Sequence, residues 1–531
     1  MAIRGKEVNV LMRRHALFIG LFVVVAAARI TILLASQTHV HSDEAIIGLM
    51  AKHILEGRYF PFYMYGQAYN AGAAWEAYLA AILFGVFGVS VVSLKGCIVA
   101  LSLFCLFLFY RMCLMLYDQR TALLATIAFA LAPSLLKWHF QVRGYSWYFL
   151  SIPILTTLFS AIKSGRTPKQ RVLFLFGLAS GVSVWCLELA IPIVGAFWML
   201  LILRRKLAIR DAALGLVGLA VGYLPVIAFN LTNHFSNWRY LLFERPRGGF
   251  QSLLHLSAYL RIFLDEMPKF FGPDTVLWYY PDKSISGYVF YAIAVLAVGV
   301  ATWPFLKSPP RMKHALRGDL ADGRQQTDFD MLVLTAASFV PYLTMPEGVP
   351  SYFFGGCFFL SVLIGRMLAR SFSSSMVLRL AGAGVLGAIL LIGVVVMVKV
   401  AQQNQIETLC LCQDGRSYCM TRIRGSDLEG VENYLQQHNV TSVWTTISFI
   451  YPLLFESHET LAVSNAIFEY PHRVYPQKVP WREPSLDRNT AFVIETDAPF
   501  RSLLEARCVQ AFGVAPLVNE YGKLTVVSAH E

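Results

Sequence analysis

Asp43 and Glu44 stand side by side a few residues past the end of a long apolar run, at the head of HSDEAIIGLMAKHILEGRYFPFYMYGQAY, residues 41–69. An adjacent carboxylate pair in that place has two readings. The local one is that Ser42, Asp43 and Glu44 begin a helix, where first-turn acids gain roughly 0.3–1 kcal/mol from the helix dipole. The chemical one is that a carboxylate at a membrane boundary, beside apolar surface, is partly desolvated and placed to take a proton from a hydroxyl. Spacing alone favours neither.

The residues that follow add weight to chemistry. Ile46, Leu49, Met50 and Ile54 can form one face of an amphipathic helix. Behind it comes a run crowded with aromatics, in which Tyr65, Gln67, Tyr69, Asn70 and Glu76 offer ring faces, amides and a carboxylate. Aromatics at a membrane surface are commonly an interfacial belt. Rings interleaved with amides and acids are also what a sugar requires, so Tyr65, Gln67, Tyr69 and Glu76 are candidate substrate contacts. Glu188, in VWCLELAIP, lies near the outer end of another apolar segment, with Trp185 one turn earlier on the same face. A carboxylate that reaches a bilayer centre costs roughly 2.5–3.5 kcal/mol, so it needs either a cationic partner or a polar cavity; we expect Glu188 and Trp185 to line the cavity. His41 and His53, even taken with Asp43, supply too few ligands to argue for a metal.

These groups must be positioned by membrane helices. The chain of 531 residues is 56% hydrophobic and only 15% charged, which together with its long apolar runs marks a polytopic α-helical membrane protein. Its net charge of +12 would suggest nucleic acid in a soluble protein, but the basic residues sit in connectors between apolar segments, where they set orientation. Six clusters, Arg4 to Arg14, Arg111 to Arg120, Lys163 to Arg171, Arg204 to Arg210, Lys307 to Arg324 and Arg366 to Arg379, belong on the cytoplasmic side. Two crossings between successive clusters require about eleven transmembrane helices, at 16–36, 91–116, 121–138, 145–162, 172–190, 191–203, 211–230, 286–306, 330–345, 351–369 and 377–400, with the N-terminus cytoplasmic. The apolar stretch 71–88 breaks that count if it crosses, so it is expected to lie along the outer interface within a first external loop of about 36–90.

The character changes after residue 400, where charges and prolines replace apolar runs. The expected division is a membrane domain over 1–400 and an extracytoplasmic α/β domain over 401–531. In the latter SDLEGVENYLQQHNV reads as a helix, and TSVWTT, AFVIET and KLTVVSA read as strands. Cys97, Cys105, Cys113, Cys186 and Cys357 fall in or beside spans as apolar fillers. Cys410, Cys412, Cys419 and Cys508 fall in the outer domain, an even number suited to one or two disulfides of unassigned pairing. No repeat, nucleotide-binding glycine loop, HExxH or GxSxG is present.

The order of a first span, SDEA, a helix ending in LEGRYFP, then YGQAY, then an apolar helix ending in LFGVFGVS resembles the first external loop of the GT-C membrane glycosyltransferases, nearest the protein O-mannosyltransferase and aminoarabinose transferase group. The resemblance is specific over roughly the first 230 residues. It implies the catalytic acid-base role for Asp43 foremost and for Glu44 second, and a donor that is a sugar on a polyprenyl phosphate. Aminoarabinose transferases carry an EKPP run after the aromatic segment, whose lysine contacts the donor phosphate; the corresponding residues here read NAGA. The donor phosphate therefore needs other cations. PSLLKWHFQVRGYSWY places Lys137, His139 and Arg143 in one short outer connector, and an Arg fork suits a phosphate. A lone cation at a span end would merely snorkel; three ionisable groups within seven residues favour phosphate binding. Arg239, Arg245, Arg261 and Lys269, in an outer segment at 231–285, are further candidates.

The expected activity is transfer of a sugar from a polyprenyl-phosphate donor to a hydroxyl of an extracytoplasmic glycan, lipid or protein, at the outer face of the cytoplasmic (inner) membrane. No cofactor is required, although a carboxylate at such a site can also hold a divalent cation. The alternatives are a transporter or flippase of lipid-linked sugars, which would place essential ionisable groups near the bilayer midplane, and an assembly protein whose outer domain docks a partner.

Overall fold

The computed structural model describes all residues except 1, 36–39, 165–168, 205–208, 245–255, 273–283, 345–349, 403–404, 412–417, 466–483, 499–500, 514 and 529–531. A helix or broken helix covers each of the eleven apolar segments expected to cross. Five of these helices are long and apolar enough to span by themselves, or six if the bent pair Arg210–Gly222 and Leu224–Thr232 counts as one. The first helices in the chain are α1 (Ala2–Ala35), α2 (Ser42–Leu55), α3 (Ala71–Phe87) and α4 (Val91–Leu116). At 26 residues, α4 is about 39 Å long, against a hydrocarbon core of about 30 Å.

The chain forms two compact units, and the first comprises Met1–Thr31, Val99–Phe140 and Gly144–Val400. Its basic connectors meet around two aspartates at the start of the helix Gly323–Thr344. Asp330 pairs with the buried Arg204 and with Lys163, whose Nζ lies 2.6 Å away. Asp328 pairs with Arg366 and Arg370 and accepts from the Tyr117 hydroxyl at 2.8 Å. Arg324 reaches Asp118, which also caps its own helix by accepting the Thr121 N–H. Five of the six basic clusters thus converge at one place among the described residues.

Small residues set the closest packing in this unit. The helices Lys169–Cys186 and Ile209–Gly222 meet along glycines, and a Cβ on Gly218 or Gly222 would fall on the backbone carbonyls of Phe174 and Leu178. Backbone cannot give way as a side chain can. Gly218→Val should cost about 3 kcal/mol or more by overpacking, whereas Gly384→Ala, with nothing within 4 Å of the added methyl, should leave thermal unfolding in detergent unchanged.

The second unit comprises Ile32–Ile98, Gln141–Arg143 and Ala401–Glu531, so the chain after residue 400 shares a compact body with α2 and α3. The C-terminal segment carries a two-stranded antiparallel ladder, β1 (Gln405–Leu411) with β2 (Tyr418–Arg424), in which Cys410 stands opposite Cys419. It also carries β3 (Ser442–Thr445), β4 (Ala462–Asn465), β5 (Thr490–Glu495), β6 (Leu517–Tyr521) and β7 (Leu524–Ser528), in the sheet order β4-β3-β5-β7-β6. The strands β4, β3 and β5 run parallel, and β6 and β7 form an antiparallel hairpin at the other edge. Every residue of the central β5 is buried, as expected of a strand covered on both faces. Cys508 packs there with Phe492, Ile494, Leu504 and Val527 as a free thiol, so it is a core residue. Cys412 and the side chains of Cys410 and Cys419 lie outside the described residues.

Candidate active site

The head of α2 builds the site. The helix starts at Ser42 with His41 as its cap: His41 Nδ1 accepts the Asp43 N–H at 3.2 Å, and Glu44 reaches back to accept the His41 N–H at 3.0 Å. A His here accepts the kind of bond that a Ser, Thr, Asp or Asn cap usually takes. This releases the Ser42 hydroxyl to donate to the Ser448 carbonyl at 3.2 Å.

The two adjacent acids sit in different environments. Glu44 is 2% exposed. Its Oε1 accepts the Val142 N–H at 3.1 Å, and its Oε2, already on His41, lies 3.5 Å from Lys95 Nζ. Burial by itself would raise its pKa; the charges of Lys95 and Arg143 and the two backbone donors outweigh that, and the net shift is downward. Glu44 is therefore a fixed anion that ties α2, α4 and residues 141–143 together. Asp43, with 28% of its side chain exposed, accepts from Arg143 Nη1 at 3.0 Å. Arg143 is itself buried, and its carbonyl accepts the Asn70 amide at 3.5 Å. Asn70 holds a left-handed backbone (φ 61°) at the start of α3, so the end of the aromatic run is fastened to the cation that faces Asp43. Of the two acids Asp43 is the more accessible, and Glu44 is buried among two backbone donors and two cations.

Lys95 escaped the sequence reading. It lies in the first turns of α4, a segment otherwise read as a plain span, and the signal that could have singled it out is the cost of a lone lysine inside an apolar run.

The remaining candidates fall in several places. Tyr65 is buried and hydrogen-bonded through its hydroxyl to His53 Nδ1 at 3.0 Å; Gln67 and Tyr69 are half-buried, and Glu76 is buried in α3. Lys137, His139, Trp185 and Glu188 belong to the first unit. The Lys137 side chain lies outside the described residues. His139 is buried against Phe129, and burial, reinforced by the charge of Arg29, drives its pKa well below the usual value, so it would meet a phosphate as a neutral ring. Trp185 and Glu188 are half-buried, Glu188 opening a short 3-10 turn after the helix Lys169–Cys186. Arg261 and Lys269 pair with Glu266 and Asp265 of their own segment; Arg245 lies outside the described residues. Among the described residues no group of three or more His, Cys, Asp or Glu is placed to hold a metal.

A second ionic cluster lies further along α2. Glu459 Oε2 meets Lys52 Nζ at 2.5 Å, and its Oε1 meets His53 Nε2 at 3.0 Å. Burial would raise the Glu459 pKa, but hydrogen bonds from His53 and Lys52 win and hold it down at about 2. A carboxylate whose pKa is depressed by folding adds stability above its unfolded pKa and loses it as pH falls through the folded one. Glu459 should therefore cease to stabilise this unit between pH about 4.5 and about 2. The melting temperature of wild type should fall more steeply over that acid range than that of Glu459→Gln, and parallel curves would refute the assignment.

Comparison with known proteins places this geometry in a fold. No protein-family model matches the sequence, and no curated protein matches it at sequence level. Solved structures do. ArnT from Cupriavidus metallidurans bound to undecaprenyl phosphate superposes with a TM-score of 0.59 at 12% identity, covering 97% of this chain and 98% of that one. The Archaeoglobus fulgidus oligosaccharyltransferase tethered to an acceptor peptide gives 0.50 at 11% identity, over 86% of this chain and 64% of that one. Both are GT-C membrane glycosyltransferases, and this chain has their fold.

Proposed function

We propose that the protein is a lipid-phosphate-dependent glycosyltransferase in which Asp43 is the base. The observation that carries this reading is the pair Asp43–Arg143 at 3.0 Å, set beside a fully engaged Glu44, at the start of the first loop helix in a chain with the GT-C fold. An acceptor hydroxyl attacks the anomeric carbon of the donor; the carbon–oxygen bond to phosphate breaks, Asp43 takes the hydroxyl proton, and polyprenyl phosphate departs. A single displacement inverts the anomeric carbon. Phosphate is already a good leaving group, so no separate acid is needed. Arg143 neutralises the resting carboxylate and, once the donor is bound, shares its fork with the departing phosphate. Lys95 supplies the second cation and so takes over the task for which NAGA offers no lysine. Tyr65 acts through His53, while Gln67, Tyr69 and Glu76 contribute to the sugar wall.

The acceptor is extracytoplasmic, and the membrane is the inner one with the N-terminus inside; convergence of five basic connectors on Asp328 and Asp330 supports that orientation. The C-terminal segment then lies outside, and the eleven helical segments are the spans. Proton transfer to the Asp43 carboxylate needs no metal.

The test is to incubate the purified protein with doubly labelled polyprenyl-phosphate sugars and envelope extracts. The expected outcome is release of polyprenyl phosphate with label appearing on a hydroxyl-bearing product of opposite anomeric configuration. Movement of intact lipid-linked sugar across vesicles without cleavage would instead establish the transporter alternative.

A further inference from the structure

The helix that carries the proposed base is held along one side by the C-terminal segment, within a single compact unit. The contacts begin at Ser42, whose hydroxyl donates to the Ser448 carbonyl in the helix Ile447–Glu456. Six residues on, Gly48 presents no side chain, and Phe455 Cε2 would lie 2.5 Å from a Cβ placed there. The same Phe455 ring stacks on Phe84 of α3 at 6.2 Å. One turn further, Lys52 donates to the His458 carbonyl at 2.9 Å and to Glu459 at 2.5 Å. His53, 0% exposed, bridges Glu459 to the Tyr65 hydroxyl. Gly48 and Lys52 stand one turn apart on one face of α2, and Ser42 and His53 share the adjoining face about 80–100° round the helix from Lys52, so the Ile447–Glu456 helix and the turn after it contact α2 from its head to its last turn.

That turn is itself unusual. His458 and Glu459 both adopt left-handed backbone, with φ of 53° and 62°. Neither is glycine, so the conformation is unfavourable unless its surroundings hold it. The two residues so held are the ones that grip Lys52, one through its carbonyl and one through its carboxylate. Each oxygen of Glu459 takes a different residue of α2, which fixes the helix in rotation as well as in depth.

We infer that Glu459 is a positioning residue for the transfer reaction: by clamping Lys52 and His53 it sets the placement of α2, and through that helix the approach of Asp43 to its substrates. The inference rests on the proposed function. It also gives the C-terminal segment a part in catalysis that does not require it to touch donor or acceptor. About ten residues of helix, near 15 Å, separate the clamp from Asp43, and a helix transmits a small rotation over that length with little loss. A displacement of about 1 Å at a reacting group is enough to cost about a hundredfold in rate.

The test uses the full-length protein and its variants Glu459→Gln, Glu459→Asp, Lys52→Met and the double variant K52M/E459Q. Two readouts are taken: steady-state kinetics with a polyprenyl-phosphate sugar, and hydrogen exchange of the α2 amides 43–53. For Glu459→Gln the expected result is a kcat lowered about 10–100-fold with donor KM within about twofold, and faster exchange along α2. Glu459→Asp, one methylene shorter, should recover part of kcat. The double variant should be no worse than Glu459→Gln alone, because both changes break one clamp. Wild-type kcat with unchanged exchange in Glu459→Gln overturns the inference. So does a lowered melting temperature with kcat preserved in the folded fraction, since that is a purely structural role. If the wild-type protein transfers no sugar, the proposed function fails, and the exchange data alone still decide whether Glu459 holds α2.

Discussion

Asp43→Asn is expected to lower kcat for sugar transfer about 10²–10⁴-fold, the usual contribution of a positioned general base, while binding of polyprenyl phosphate stays within about threefold of wild type. Asn is nearly isosteric and can still accept the Arg143 N–H that now ends on Asp43 at 3.0 Å, so the change removes proton affinity with little disturbance of the pair. Asp43 shares Arg143 and His41 with Glu44, but the bonds that Glu44 accepts from the His41 and Val142 N–H groups do not use the Asp43 carboxylate, and the head of α2 should stay in place. The matched variant Glu44→Gln separates chemistry from structure. It leaves Lys95 and Arg143 without the buried anion between them, and breaking such a cluster costs about 3–5 kcal/mol, so its main effect should be on the melting temperature. Transfer at wild-type rate in Asp43→Asn would remove Asp43 from the mechanism.

Arg143 is the second large effect. Arg143→Gln should reduce kcat/KM about 10²–10³-fold, as loss of a preorganised charge at a developing anion does. Arg143→Lys should recover only part of this, because a single ammonium cannot engage Asp43 and a phosphate through one planar fork. Donor binding measured directly, for example by native mass spectrometry with polyprenyl phosphate, divides the two tasks given to this side chain. Weaker binding together with lower kcat means that it holds phosphate. Unchanged binding with lower kcat means that it acts only through Asp43, and Lys95 then carries the phosphate alone. A wild-type kcat/KM in Arg143→Gln would leave neither task to it.

Much of the helical layout was legible in the chain. Each apolar segment expected to cross falls on a helix, because membrane helices satisfy their backbone within the segment and so are encoded locally. The strands β3, β5 and β7 also lie where TSVWTT, AFVIET and KLTVVSA placed them, since β-branched runs between turn residues are a local signal as well. The start of α2 was legible, since Ser42, Asp43 and Glu44 do open the helix. The carboxylate pair, the aromatic run and Arg143 could be named as candidates for the chemistry. Their division of labour could not: the sequence shows two neighbouring acids, and only burial makes Glu44 a strut and leaves Asp43 accessible.

The partners that decide this division are remote in sequence. Val142 lies 98 residues from Glu44, and Glu459 lies 406 residues from His53. Hydropathy and capping report on intervals of a few residues, whereas an ion pair across hundreds depends on how whole helices pack. Hence Lys95 passed for an ordinary residue of a span, His53 for one of too few metal ligands, and Glu459 for nothing in particular. The amino-acid order sets which segments become helices and strands, through local backbone satisfaction and apolar period. The tertiary structure determines which carboxylate keeps some exposure, which cations face it and what holds its helix, because desolvation and charge pairing exist only once distant segments share one low-dielectric interior.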